Sequence, residues 1–338
     1  MAIGNALEAK PEGLPASVRC VGIIFCEDIG AFDEAGVARL NAYDLIVAGS
    51  RWTERVLREK GVERVVLAHQ GYDGRVFFPW TGAIVSREVS ENAGKYGDAH
   101  DSMATPSRPR VFSGGKLEFR KGQDIVVEAF RRFRQTPEGR DAQLVVAWDN
   151  QWPQTMDGIW LSDYVKGVPT VRNGRCEVGP WLVANGLPAD AVIDCGRLTP
   201  PEAAHVLRSC TAGVFPNRAE SGTNLVLVEA LASGLPCIMA GRHGQLDASH
   251  AFAPVPPWLL DPNGIGLDVV PNGCSLYKST DGWVETAPDE IVGALALAAR
   301  GGWGGAWNSS SSYADYWDWS VRGPAMAEAI LQAETVAA

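Results

Sequence analysis

The chain reads as an α/β protein of two Rossmann-like units joined by a linker. Three observations predict this. Short apolar strand-like runs alternate with helical patterns almost throughout, which is the pattern of parallel layers. The strand-like runs are near-continuously apolar, as strands buried on both faces are. Between residues 81 and 109 the alternation dissolves into polar sequence rich in Gly, Ser and Pro, with no steady period.

Each element has its own signal. In the first unit, residues 1–80, Val21 to Phe25 and Leu45 to Ala48 predict buried strands, and Ser50 caps a helix running to Lys60. Val65 to Ala68 is a third strand. These elements make up only about half of an ordinary Rossmann unit, so this unit is expected to be incomplete. Residues 81–109 are expected to form the linker and a mobile loop. In the second unit, residues 110–320, Val111 to Ser113, Gln143 to Trp148, Ala191 to Cys195, Ala212 to Phe215 and Pro236 to Ala240 read as strands. Helices are expected over Lys121 to Arg134, near Cys176 to Asn185, over Pro200 to Ser209, from Thr223 or Asn224 onward, and over Asp289 to Arg300. A terminal helix, Gly323 to Glu334 within residues 321–338, is expected to pack back across the two units, with the Trp-rich run Tyr313 to Trp319 serving that packing.

Composition excludes several functions. At 338 residues, 46% hydrophobic and 21% charged, the chain suits a soluble protein with two cores. A net charge of −10 without a Lys/Arg-rich block argues against nucleic acid as a partner, and leaves only a local basic patch for peripheral membrane contact. No apolar stretch is long enough to span a bilayer, and Met1 to Ser17 lacks the basic and apolar regions of a secretory signal. Seven scattered cysteines without a C-x-x-C spacing read as reduced core thiols of a cytoplasmic protein. The five histidines form no metal-binding pair, so no metal site is expected.

Two segments carry the chemistry. Ala212 to Phe215 empties into a polar loop with Glu220 and Gly222, a helix follows, and Glu229 lies one turn into it. Free backbone N–H groups at a helix N-terminus bind phosphate, and glycine lets the ligand approach. Two carboxylates would repel that phosphate, but they accept hydrogen bonds from sugar hydroxyls. The combination describes a nucleotide-sugar site. In the other segment, Phe112 to Asp124, a strand ends at Gly114-Gly115 and three cations follow, Lys116, Arg120 and Lys121. Cations placed in advance stabilise charge developing on a leaving nucleoside diphosphate. The alternative for this segment alone is a solvated turn.

Together the two segments resemble the C-terminal domain of retaining glycosyltransferases of GT-B architecture, family 4. The matching pieces are Gly115-Lys116 with Lys121-Gly122, Glu220 with Glu229 ahead of Ala232-Ser233-Gly234-Leu235-Pro236, Asp44 to Trp52, and Gly71-Tyr72-Asp73 with Phe78-Pro79. The resemblance spans roughly Val21 to Leu246. It implies two Rossmann-like domains facing a cleft, with donor diphosphate on Lys116 and Lys121, transferred-sugar hydroxyls on Glu220 and ribose on Glu229. Gly115 and the Ser221-Gly222-Thr223-Asn224-Leu225 backbone belong to the same donor site, and Arg197-Leu198 stand where the nucleobase is usually met. It also implies retention by same-face attack without a cofactor or metal, a UDP- or GDP-linked donor, and a carbohydrate or lipid-linked acceptor in glycoconjugate or polysaccharide assembly at the inner face of the membrane. One departure is the spacing, Glu220-x8-Glu229, which is one residue longer than usual. The short first unit keeps open a donor-binding subunit that needs a partner chain, and an epimerase of the same architecture is a further alternative.

Three other places are weighed. Arg242 and His243 lie in a loop after a strand that should face the cleft, where they either contact sugar or phosphate or pack structurally. Trp148 to Pro153 follows a strand end, where ligands bind α/β sheets, and reads either as a packed Trp loop or as a base or acceptor contact. His69 and His205 read as structural.

Overall fold

The computed structural model describes residues 2–25, 27–79, 108–249, 258–261, 265–266, 280–300 and 311–336. The fold is α/β, with two parallel sheets. The expected linker lies outside the described residues except for its last two positions, as do Cys26, Cys274, His100 and His250.

The first sheet has four parallel strands in sequence order: β1 (Ala2–Asn5), β2 (Cys20–Ile24), β3 (Leu45–Ala48) and β4 (Val65–Leu67). Helix α1 (Glu34–Asn41) precedes β3, and α2 (Arg51–Glu59) connects it to β4. Sequence reading placed β2, β3, α2 and β4 but passed over β1 and α1. β1 is four residues long and contains Gly4 and Asn5, so only its pairing with β2 makes it a strand. The start of α1 is fixed by Asp33, whose carboxylate accepts from the Gly36 amide at 2.8 Å. Ser50 caps α2 in the same way, accepting from the Thr53 amide at 3.1 Å.

The second sheet has six parallel strands. These are β5 (Arg110–Lys116), β6 (Gln143–Asp149), β7 (Val192–Asp194), β8 (Ala212–Phe215), β9 (Cys237–Ala240) and β10 (Trp258–Leu260), in the order β10-β9-β8-β5-β6-β7. The order reverses between β8 and β5, and a crevice at the carboxyl ends of such a pair is where open α/β sheets bind ligands. The connecting helices are α3 (Gln123–Phe133), α4 (Val178–Ala184), α5 (Pro200–Arg208) and α6 (Leu225–Ala232), with α7 (Pro288–Ala299) closing the layer. Thr199 and Glu202 form a capping box at the start of α5, with Pro200 at the first helical position.

The chain then returns. Helix α8 (Ser311–Trp317) buries Tyr313 and Trp317 against Tyr72, Phe77 and the α6 residues Leu227 and Leu231. Helix α9 (Trp319–Val336) lays Met326 and Ile330 on the first sheet, against Val21, Leu45, Val47 and Ala68. At the crossing, the Tyr72 amide donates to Trp317 O at 3.0 Å, and the Trp319 amide donates to Tyr72 O at 2.9 Å. Fully burying one large apolar side chain is worth about 1.5–3 kcal/mol, so Tyr313 and Trp317 anchor this crossing firmly.

Candidate active site

The carboxyl ends of both sheets meet, and the two chemical segments meet there too. β5 delivers Gly115 and Lys116. Gly115 has φ +118, a conformation other residues avoid, and nothing lies within 4 Å of where a Cβ would stand. The Lys116 ammonium pairs with Glu118 at 3.5 Å and lies 5.0 Å from the Trp152 ring centre. One turn of 3-10 helix, Phe119–Lys121, then turns the chain toward α3 at Gly122. Gly122 has φ +71, and a Cβ there would stand 2.5 Å from Pro216 O, so this glycine is required twice over. It brings the cationic loop against the segment that follows β8.

Glu220 is where the two segments join. Its carboxylate pairs with Lys121, lies 3.4 Å from the Arg120 guanidinium and accepts from Asn217 Nδ2 at 2.8 Å. Burial pushes this carboxyl up, but Lys121 and Arg120 outweigh the burial and hold it below its ordinary value. It is therefore an anion held ready in a nearly dry place. Arg120, which sequence reading noted only as one of three cations, is the most engaged of them. It faces Glu118 at 2.6 Å, Glu27 at 3.0 Å and Glu220.

Beyond Glu220 the chain runs Ser221-Gly222-Thr223-Asn224 into α6, which begins at Leu225, one or two residues later than expected. Asn224 is left-handed at φ +57 and does not cap the helix. Its Nδ2 donates to Gln245 Oε1 at 3.3 Å instead. The first bond of the helix runs from the Val228 amide to Asn224 O, so the amides of Leu225 to Leu227 precede the ladder, as a helix N-terminus requires. Thr223 is buried. Glu229 lies one turn inside α6 and carries no hydrogen bond on its carboxyl among the described residues. Burial alone pushes that carboxyl up to about 7.

The other expected residues stand around this cluster, and the Gly244 amide, next to His243, donates to Glu220 O at 2.8 Å. Arg197 pairs with Asp149 at 2.8 Å, and Asp149 is the register partner of Lys116, so Arg197 stands at the same sheet edge while its guanidinium turns to Asp149. Leu198 packs against the core. Arg242 sends its guanidinium to Thr286 Oγ1 at 2.6 Å rather than to the Glu220 cluster, and burial lowers it to about 10. His243, left-handed at φ +55, sets its ring edge-on to Trp52 of the first unit and bonds Gly282 O at 2.7 Å. Burial lowers it to about 4. In the Trp loop, Trp148 is a core residue whose indole donates to Ser113, whereas Trp152 is half exposed beneath Lys116.

The first unit reaches into the centre. The Phe25 ring lies against Gly49 and Gly222, and Glu27 accepts from Ser221 Oγ at 3.2 Å. Ser50 and Thr53 both donate to Ser221 O, the latter at 2.7 Å. His69 and Asp247 join across the junction at 2.8 Å, with Tyr316 on the other ring nitrogen at 2.9 Å. Among the described residues no group of three His, Cys, Asp or Glu is placed to hold a metal ion, and no helix is long and apolar enough to cross a membrane. The five described cysteines are unpaired.

Part of the sequence and the fold resemble known proteins. Residues 108–250 match the family glycosyl transferases group 1. That stretch contains every candidate residue from Gly115 to His243. Among solved structures, HepE of Anabaena in complex with UDP and glucose aligns with a TM-score of 0.60 at 16% identity, over 93% of this chain and 72% of that one. Sucrose-phosphate synthase of Thermosynechococcus elongatus aligns with 0.53 at 18% identity, over 94% and 68%. A glycosyltransferase of Rickettsia africae aligns with 0.52 at 14% identity, over 91% and 69%. At such identities the likeness concerns the fold, which is the two-domain, GT-B type expected from the resemblance. No curated protein matches the chain.

Proposed function

We propose that the protein is a glycosyltransferase that moves a sugar from a nucleotide diphosphate sugar to a hydroxyl of a carbohydrate or lipid-linked acceptor, with retention of anomeric configuration. The observation that carries this reading is the meeting of Lys116, Arg120 and Lys121 with the start of α6 and with Glu220, at the carboxyl ends of both sheets. Cations and amides serve a leaving diphosphate, and a preplaced anion serves sugar hydroxyls.

In this reading Lys116 and Lys121 take the charge that grows on the leaving diphosphate, and no metal is called on to neutralise it. Glu220 holds the hydroxyls of the transferred sugar, and Glu229 holds the ribose. The acceptor enters from the first unit and attacks the face the leaving group departs from. The departing phosphate takes the acceptor's proton, so no side chain acts as general base. Because HepE binds UDP and UDP-glucose, a UDP-linked donor is the first choice and a GDP-linked one the second.

Thermal-shift measurements against UDP, GDP and other nucleoside diphosphates, with and without divalent metal, test the reading. One nucleotide should raise the melting temperature by mass action, and Lys121→Ala should abolish the rise. A folded protein that no nucleotide stabilises would remove the reading.

A further inference from the structure

The central cluster is fully paired in this arrangement. Three cations, Lys116, Arg120 and Lys121, face three carboxylates, Glu27, Glu118 and Glu220. A diphosphate entering here meets no net positive charge until one carboxylate withdraws. Two of the three are built into the second unit. Glu118 is buried within two residues of its partner Arg120, and Glu220 is held by Asn217 as well as by Lys121. Glu27 alone among these comes from the first unit, three residues past the end of β2, so its side chain can swing off Arg120 while the second unit's carboxylates stay in place.

Its partners are suited to something other than a carboxylate. Glu27 Oε1 rests on Arg120 Nη1 at 3.0 Å and on Ser221 Oγ at 3.2 Å, three residues ahead of the residue that precedes α6. A guanidinium, a hydroxyl and a nearby helix start form the donor set that binds a phosphate oxygen. The segment is seated there by two further contacts: the Phe25 ring lies on Gly222, and the Trp283 indole donates to Glu27 O at 3.0 Å.

We propose that Glu27 is a built-in competitor of the donor phosphate, its carboxylate occupying at Arg120 and Ser221 an oxyanion site that a phosphate oxygen takes when the nucleotide binds. This rests on the donor-site reading above, and it adds Arg120 to the residues that bind the phosphate. Donor binding and the Glu27 contact then exclude one another, and the first unit must draw back locally before the nucleotide enters.

Calorimetric titration of the full chain and its Glu27→Gln variant with UDP, GDP and inorganic pyrophosphate tests this. Glutamine keeps the size of the side chain and removes its charge, and Glu27→Ala serves as a second variant if Glu27→Gln folds poorly. The variant is expected to bind nucleotide about tenfold more tightly, since removing a competing state raises apparent affinity by the population it held. Equal or weaker nucleotide binding by a folded variant overturns the competition and leaves the donor reading standing. If neither protein takes a nucleotide but the variant takes pyrophosphate more tightly, the competition stands and the nucleotide reading falls. Binding of none of the three anions by either protein overturns both.

Discussion

The Ser50 hydroxyl and the Ser221 carbonyl, one in each unit, are joined by a buried hydrogen bond. The same hydroxyl accepts from the Thr53 amide and so caps α2, which ties a helix start in one unit to the Ser221 loop of the other. Ser50→Ala should cost about 1–2 kcal/mol, the usual loss of a helix cap. Thr53→Val, which removes the second donor to Ser221 O but leaves the cap, should cost less. Chemical denaturation of both variants checks the order, and a larger loss for Thr53→Val would contradict it.

Glu220→Gln separates sugar recognition from phosphate binding. The charge that holds Lys121 and Arg120 disappears while the shape stays. Transfer should fall roughly a hundredfold or more, as when a preorganised electrostatic contact is lost. Nucleoside diphosphate affinity should hold or rise, because a nearby anion has gone. Parallel loss of both would place Glu220 in phosphate binding.

Glu229 imposes a pH dependence of unusual sign. Burial pushes its carboxyl up to about 7 in the fold, against an ordinary 4.5. Between those values the folded protein keeps a proton the unfolded chain has released. Stability from this group is therefore greatest at acid pH and lost as pH rises from about 4.5 to 7, by at most about 3 kcal/mol. Glu229→Gln should stabilise the ligand-free protein at pH 8 and change little at pH 4.5. Urea melts at the two pH values measure the difference.

His243 works in the opposite direction. Burial holds it at about 4 against an ordinary 6.5, so the unfolded chain takes up its proton first on acidification. Its contribution is intact above pH 6.5 and fades as pH falls toward 4. Over much of the same window the two groups act with opposite sign, so His243→Gln should shift the stability profile toward acid pH relative to the parent.

Arg218 stands two residues before Glu220 yet serves the fold. It is wholly buried, bonding Asp124 at 2.7 Å through two nitrogens and Glu285 at 2.8 Å. Arg218→Met strands the buried Asp124 carboxylate and removes a partner of the partly exposed Glu285, and should cost about 3–5 kcal/mol. Arg218→Lys should recover only part of that, since lysine cannot supply the bidentate geometry. Melting temperatures of the two variants rank the effect.

These residues mark what the sequence could and could not disclose. Lys116, Lys121, Glu220 and the strands that carry them were legible because each sits at a strand end beside glycine or at a helix start, where local chemistry restricts the choice. Most later strands and helices were legible for the same reason, but β5 ends three residues beyond the expected strand, the terminal helix starts four residues early, and β10 (Trp258–Leu260) was not expected at all. Arg120 was visible as a charge, but its three carboxylate partners are up to a hundred positions away, so its role emerges only on folding. Glu27 had no local signal, because it follows an ordinary apolar strand and acquires meaning from Arg120. β1 and α1 were missed because pairing and a single aspartate cap make them, not a strong period. The direction of Arg242 was likewise set by Thr286, 44 positions on.

The side-by-side crossing of the chain at Tyr72 and Trp317 to Trp319 has a mechanical meaning. The units are joined by two covalent strands, and those strands are hydrogen-bonded to each other. One tether would allow one body to swing and twist about the other. Two laced together leave the units fewer ways to move apart than a single tether would, which keeps Glu27 and Ser50 near the same seats.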